Sequence, residues 1–246
     1  IDSILGQRVE DLELIVVDDG STDATPDIAS GTGDPRVRHL PLPHMGISMS
    51  LNRGFAEARA DYVAVLDADD WALPDRLERQ LEVLESRPEV AVVGCWMDEV
   101  DAQGTRLKPR FGRRMADATG DVTELIMRFN PIPNTSAAMR RSAVLDVRGY
   151  DPRYKYAMEY DLWLRLAESH RIWNLSEVLA VREMGGSNVA VRNDRDQVGE
   201  TVRMKLAAIR RRRSAAGADG LIHPVLSYVM PLPLKRALRR ARGMAR

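Results

Sequence analysis

Tyr62-Val63-Ala64-Val65-Leu66-Asp67-Ala68-Asp69-Asp70 sets an apolar run directly ahead of three carboxylates. The run has the length and β-branched content of a buried strand, so the acids stand at its carboxyl end. Three carboxylates so placed repel one another and lose hydration unless a cation neutralises them. Their hard oxygens suit Mg²⁺ or Mn²⁺, and a metal-bridged diphosphate is the ligand such a site implies. The plainer alternative is that Asp70 caps a helix beginning near Pro74 while the other two are solvated in a turn.

Working outward, residues 12–17 (Leu12-Glu13-Leu14-Ile15-Val16-Val17) read as another strand, ending on Asp18-Asp19-Gly20-Ser21-Thr22-Asp23. Short strands follow at 36–40 and 90–96. Helices are expected over 22–29, 48–60 and 74–87, the last with Leu77, Leu81 and Leu84 on one face. Strands alternating with helices over the first hundred residues give an α/β fold with a mostly parallel sheet covered on both faces. Ligands of such sheets bind beyond the carboxyl ends of the strands, which puts both acidic clusters on one crevice. Gly20 permits a tight turn and Ser21 or Thr22 can cap a helix, leaving Asp18 or Asp19 to accept a hydrogen bond from a nucleobase imide.

The second half is less regular. It holds a hairpin near Gln103-Gly104, helices over 122–129, 142–147 and 159–169, strands at 135–139, 172–173 and 178–181, a loop at Gly185-Gly186-Ser187-Asn188, and a long polar helix over 193–213. The loops over 112–120 and 185–194 are expected to line an acceptor site. Glu159 and Asp161 fall at the start of the 159–169 helix, where carboxylates ionise readily and can accept a proton.

With 246 residues, 44% apolar and 29% charged, the chain fits one ordinary globular domain. Cys95, the single cysteine, lies in an apolar run and reads as a buried thiol. No apolar run approaches a membrane span. Zero net charge hides an asymmetry: from Thr201 onward about a dozen Lys and Arg face the single acid Asp219. That basic segment, with Leu234, Leu238 and Met244, suits peripheral contact with anionic lipid, and a solvated basic helix is the alternative. Its basic residues are not interleaved with aromatics and carry no nucleic-acid-binding motif, which argues against nucleic acid.

Taken in order, Ile1 to Gln7, Glu13 to Asp23, Gly46 through Asn52-Arg53-Gly54 to Ala58, and Asp61 to Asp70 followed by Pro74 and Leu77 resemble the running signature of family 2 glycosyltransferases. The resemblance implies a GT-A, Rossmann-like fold and an inverting, metal-assisted transfer from a nucleotide-sugar, a UDP-sugar by expectation, to a glycan, lipid-linked or protein acceptor. It implies that Asp19 binds the base, that Asp67 contacts ribose or sugar, that Asp69 and Asp70 hold the metal, and that Asp161 is the general base beside Glu159. Arg182 resembles a basic residue near a loop over the diphosphate. A GT-A domain over 1–200, lacking a first strand expected ahead of Ile1, and a basic helical tail over 201–246 are the implied organisation. A cytoplasmic setting in envelope or polysaccharide synthesis, at the inner membrane face, is the implied context. His44-Met45-Gly46 departs from the family's Asn-x-Gly, and Met184 falls near a position often held by histidine. Absence of a Gln-x-x-Arg-Trp sequence argues against a processive synthase. A catalytically silent nucleotide-sugar binder and a nucleotidyltransferase are the alternative readings.

Overall fold

A computed structural model describes residues 1–107, 118–184 and 194–212. Strands are β1 (Leu14–Asp18), β2 (Val37–Pro41), β3 (Tyr62–Ala64), β4 (Trp71–Ala72), β5 (Val90–Val100), β6 (Gly120–Asp121), β7 (Ala138–Arg140) and β8 (Arg171–Glu183). Helices are α1 (Asp2–Leu5), α2 (Thr25–Ser30), α3 (Ile47–Glu57), α4 (Arg76–Ser86), α5 (Arg141–Asp146), α6 (Met158–Leu166) and α7 (Asp194–Arg212).

β1 and β2 pair in parallel, and a six-stranded sheet runs β3-β7-β5-β8-β4 with β6 on β8. β5 and β8 are parallel, and β7 is antiparallel to both β3 and β5, so β3, β5 and β8 share one direction. β3, β5 and β8 thus form the mostly parallel framework expected of an α/β chain, and β4, β6 and β7 complete it in the opposite sense. Residues 172–173 and 178–181, expected as two strands, are parts of the single strand β8. Register shifts around Cys95–Met97 absorb the irregular stretch between them.

The 74–87 helix is realised as α4, but its buried stripe is Arg76, Gln80 and Leu84, and of the three expected leucines only Leu84 is fully buried. The reason is backbone supply. Arg76 donates to the carbonyls of Val65 (2.8 Å) and Ala137 (3.3 Å) and to Gln80 Oε1 (3.1 Å), and Gln80 Nε2 donates to the carbonyls of Val93 and Ser136 (2.8 Å each). Four backbone carbonyls where the β3–β7 pairing runs out are thereby bonded by side chains of α4. The helix expected over 122–129 shrinks to a 3-10 turn, Leu125–Met127, and Val122 N–H ahead of it bonds Ile172 O across the sheet edge.

α6 is buried on nearly all sides, with Leu162, Trp163, Leu164 and Leu166 at 0% exposure. Its polar tips are anchored: Tyr160 O–H donates to Ile126 O (2.7 Å) and Trp163 Nε1 to Ile132 O (3.0 Å). α7 runs through the boundary expected at residue 200, and Met204 and Ala208 belong to the main core. Glu200 also accepts N–H bonds from Lys155 and Tyr156 in the loop leading to α6. Residues 201–212 are therefore part of the domain, and the remainder of the basic tail lies outside the described residues. Cys95 is buried as expected, its thiol pushed up to about 11 by burial.

The loop between α5 and α6 turns on Gly149, whose φ is 64° and whose Cβ would stand 2.1 Å from Asn52 Oδ1. Asn52 holds both the N–H and the carbonyl of Tyr150 (2.8 Å each). Gly149→Ala meets left-handed strain and a clash with that amide together, so a loss of about 2 kcal/mol or more is expected in urea unfolding.

Candidate active site

The strand before the acids ends as hydrogen bonding requires. β3 gives out at Ala64, Val65 N–H still reaches Ala137 O (3.0 Å), and Asp67 N–H turns to Thr135 Oγ1 (3.0 Å). Glu183 N–H donates to Asp70 Oδ1 (3.0 Å), and the nearby Thr135 hydroxyl favours the ionised form of Asp70. Asp67, Asp69 and Asp70 each bring a carboxylate oxygen within 4.8 Å of the others.

Burial pushes Asp70 up to about 6 and Asp67 upward as well, with the neighbouring carboxylates adding to both. The guanidinium groups of Arg182 and Arg76 oppose the rise at Asp67. Asp70 Oδ2 is buried and has no partner among the described residues. An orphaned hard oxygen among three carboxylates is what a divalent cation satisfies, so these residues fit Mg²⁺ or Mn²⁺.

Glu159 and Asp161 occupy different surroundings although both lie in the first turn of α6. Asp161 is 2% exposed, and its Oδ2 accepts from Arg165 Nε at 2.7 Å. Arg165 in turn holds the carbonyls of Val147 (2.6 Å) and Gly149 (2.7 Å). Half-buried Glu159 accepts from Asn130 Nδ2 (3.1 Å), and burial pushes it up to about 7, with Asp67 raising it further and Arg182 opposing. Glu159, Asp67 and Arg182 therefore share one electrostatic neighbourhood, whereas Asp161 is coupled to Arg165, Asp151 and Arg211. The two acids are two residues apart on a helix, which turns their side chains to opposite faces.

Asp18 and Asp19 form a group of their own. Asp18 is 5% exposed and accepts from Ser21 N–H (2.8 Å), with His39 Nε2 at 3.2 Å. The Ser21 bonds hold its pKa below the usual carboxylate range. Asp19 accepts from the N–H groups of Met45 (2.8 Å) and Gly46 (3.0 Å) and from the Ser50 hydroxyl (2.7 Å), with His44 Nδ1 at 3.0 Å. Burial would raise Asp19, and those donors together outweigh it. It thereby ties the start of α3 to the end of β1. Two of its donors are backbone N–H groups, so the departure at His44-Met45-Gly46 leaves this anchorage intact. The expected loop over 185–194 and most of that over 112–120 lie outside the described residues.

Sequence reasoning missed the segment Asn130-Pro131-Ile132-Pro133-Asn134-Thr135-Ser136, which bonds Glu159 through Asn130 and Asp67 through Thr135. Its signal was present as alternating Asn and Pro, which suppress helix and expose amide side chains.

Residues 1–147 match the family model described as glycosyl transferase family 2. The chain belongs to that family. EpsE of Bacillus subtilis (strain 168), which carries a glycosyltransferase name, is 34% identical over 194 residues, 74% of this chain and 66% of its own. The amylovoran biosynthesis glycosyltransferase AmsE of Erwinia amylovora is 31% identical over 169 residues, 67% of this chain and 61% of its own. The chain thus spans just under two thirds of the length of these relatives. Among solved structures, S. aureus TarS 1-349 in complex with UDP-GlcNAc superposes with a TM-score of 0.73 over 98% of this chain and 74% of that one, at 18% identity. The mannosyltransferase PcManGT of Pyrobaculum calidifontis, in complex with GDP-Man and Mn²⁺, gives 0.65 over 99% and 74%, at 19% identity. These superpositions establish the GT-A fold for this family 2 member, and no described helix is long and apolar enough to cross a membrane.

Proposed function

We propose that this family 2 member transfers a sugar from a nucleoside diphosphate donor to an acceptor hydroxyl with inversion, in polysaccharide or envelope glycan synthesis. The observation that carries this reading is the gathering of Asp67, Asp69 and Asp70 within 4.8 Å of one another, in electrostatic reach of both Arg182 and Glu159. Asp67, Asp69 and Asp70 are the residues to hold Mn²⁺ or Mg²⁺, whose contribution is to stabilise negative charge on the departing diphosphate. Arg182 is placed to add a second positive charge there. A UDP-sugar is the first donor to try, and the ligands of TarS and PcManGT make GDP-sugars the second.

Glu159 is the better general base than Asp161. Its carboxylate lies among the site's charges, and an ionisation near 7 matches the working range of a base. It takes the acceptor's O–H proton as that oxygen bonds to the anomeric carbon. The bond from that carbon to the diphosphate oxygen breaks, and its electron pair leaves with the diphosphate. Asp161, tied to Arg165, positions the helix that carries Glu159. Asp18, whose oxygens retain lone pairs, and Asp19, which orders the start of α3, shape the base-binding side. The basic segment after Thr201 supports peripheral contact with an anionic membrane face.

A pH profile checks the assignment. A base must be ionised to act, so the rate at saturating metal and donor is expected to rise with pH through about 7 and then level off. A profile flat from pH 5.5 to 8.5 contradicts Glu159 as base. The reading as a whole is tested by hydrolysis of a panel of UDP- and GDP-sugars with Mn²⁺, which needs no identified acceptor. Manganese-dependent release of the nucleotide supports it; binding without release makes the protein a nucleotide-sugar binder.

A further inference from the structure

Asn134 opens the 3-10 turn Asn134–Ser136 ahead of β7 and is 8% exposed. Its Oδ1 accepts the Tyr150 hydroxyl at 2.7 Å. Tyr150 is itself 1% exposed, and burial holds its pKa well above the usual value, so the hydroxyl stays protonated and able to donate. With the carbonyl end of the amide engaged by Tyr150, Nδ2 is turned away from it. Nδ2 is buried and has no partner among the described residues. A buried N–H without an acceptor is costly and uncommon, and marks a place where a bound group completes the bonding.

The surroundings say what kind of group. Thr135, the next residue, accepts from Asp67 N–H, so the turn is rooted in the acidic loop. Asn130, four residues earlier, donates to Glu159. The Tyr150 hydroxyl on Asn134 feels the charges of both Glu159 and Asp67. An N–H donor in surroundings made negative by Glu159 and Asp67 suits a neutral hydroxyl, whose oxygen accepts from the amide, better than an anion. Since the turn is anchored to the acidic loop, the hydroxyl belongs to the sugar hanging from the diphosphate rather than to the acceptor.

We propose that Asn134 Nδ2 donates a hydrogen bond to a hydroxyl of the transferred sugar, making Asn134 a substrate-binding residue that helps select the donor. This rests on the donor-site reading above. The test uses Asn134→Ala, Asn134→Ser and Tyr150→Phe, each checked by thermal unfolding. Calorimetry with Mn²⁺ compares the nucleotide alone with the tightest-binding nucleotide-sugar from a UDP- and GDP-sugar panel.

Loss of the amide is expected to weaken the nucleotide-sugar about tenfold while leaving the nucleotide within about twofold. Tyr150→Phe, which keeps Nδ2, is expected to leave both within about twofold. Equal losses in Asn134→Ala and Tyr150→Phe would reduce Asn134 to a partner of Tyr150 and overturn the proposal. Unchanged nucleotide-sugar affinity in Asn134→Ala and Asn134→Ser would also overturn it while the donor site stands. A wild-type protein that binds no nucleotide-sugar overturns the donor site and this proposal together.

Discussion

Glu159→Gln is expected to cut donor hydrolysis and sugar transfer by about a hundred- to ten-thousandfold while nucleotide binding and unfolding temperature stay near wild type. Gln keeps the shape and can still accept from Asn130, so what is removed is the ability to take a proton. Asp161→Asn should behave in the opposite way. Asp161 is buried against Arg165, which also holds the carbonyls of Val147 and Gly149 around the turn into α6. Neutralising it leaves a guanidinium without its counter-charge and is expected to cost about 2 kcal/mol of stability, with a smaller fall in turnover. Chemical denaturation and single-turnover hydrolysis on both variants separate the roles. A fully folded Asp161→Asn without turnover, beside an active Glu159→Gln, would reverse the assignment.

Asp69→Asn combined with Asp70→Asn is expected to abolish manganese-dependent nucleotide binding, by more than the roughly 10–100-fold that outer-shell changes around a metal produce. Stability should move the other way. Burial raises Asp70 to about 6, so the folded state holds that proton more tightly than the unfolded chain. The stabilisation from that proton is complete below the unfolded carboxylate pKa and is lost as pH rises through about 6. At pH 7.5 without metal the Asp70 charge is therefore a liability, and the double variant should unfold at the same temperature or higher. Added Mn²⁺ should raise the unfolding temperature of the wild type and leave the variant unmoved. A variant that still responds to Mn²⁺ would place the metal elsewhere.

Much of this was legible from residues alone. The run from Tyr62 to Asp70 and its echo at Leu14 to Asp23 marked two strands and the acid cluster at 67–70, because an apolar strand ending in acids has few structural uses. What sequence could not show was direction. Glu159 and Asp161 look equivalent along the chain, and only Arg165, one turn further along α6, decides which is locked in the core. Arg76 and Gln80 read as polar surface of an amphipathic helix. Their burial depends on carbonyls where the β3–β7 pairing runs out, and no local pattern encodes that tertiary pairing. Asp18 and Asp19 were legible as a cluster, whereas their engagement by His39, Met45, Gly46 and Ser50 required the return of distant chain.

The most direct test of the donor site is calorimetric titration of the wild type with UDP, and then GDP, with and without Mn²⁺. Tight binding of one nucleotide that requires Mn²⁺ is the expected result. Binding of neither nucleotide in the presence of Mn²⁺ would contradict a metal-dependent donor site at Asp67, Asp69 and Asp70.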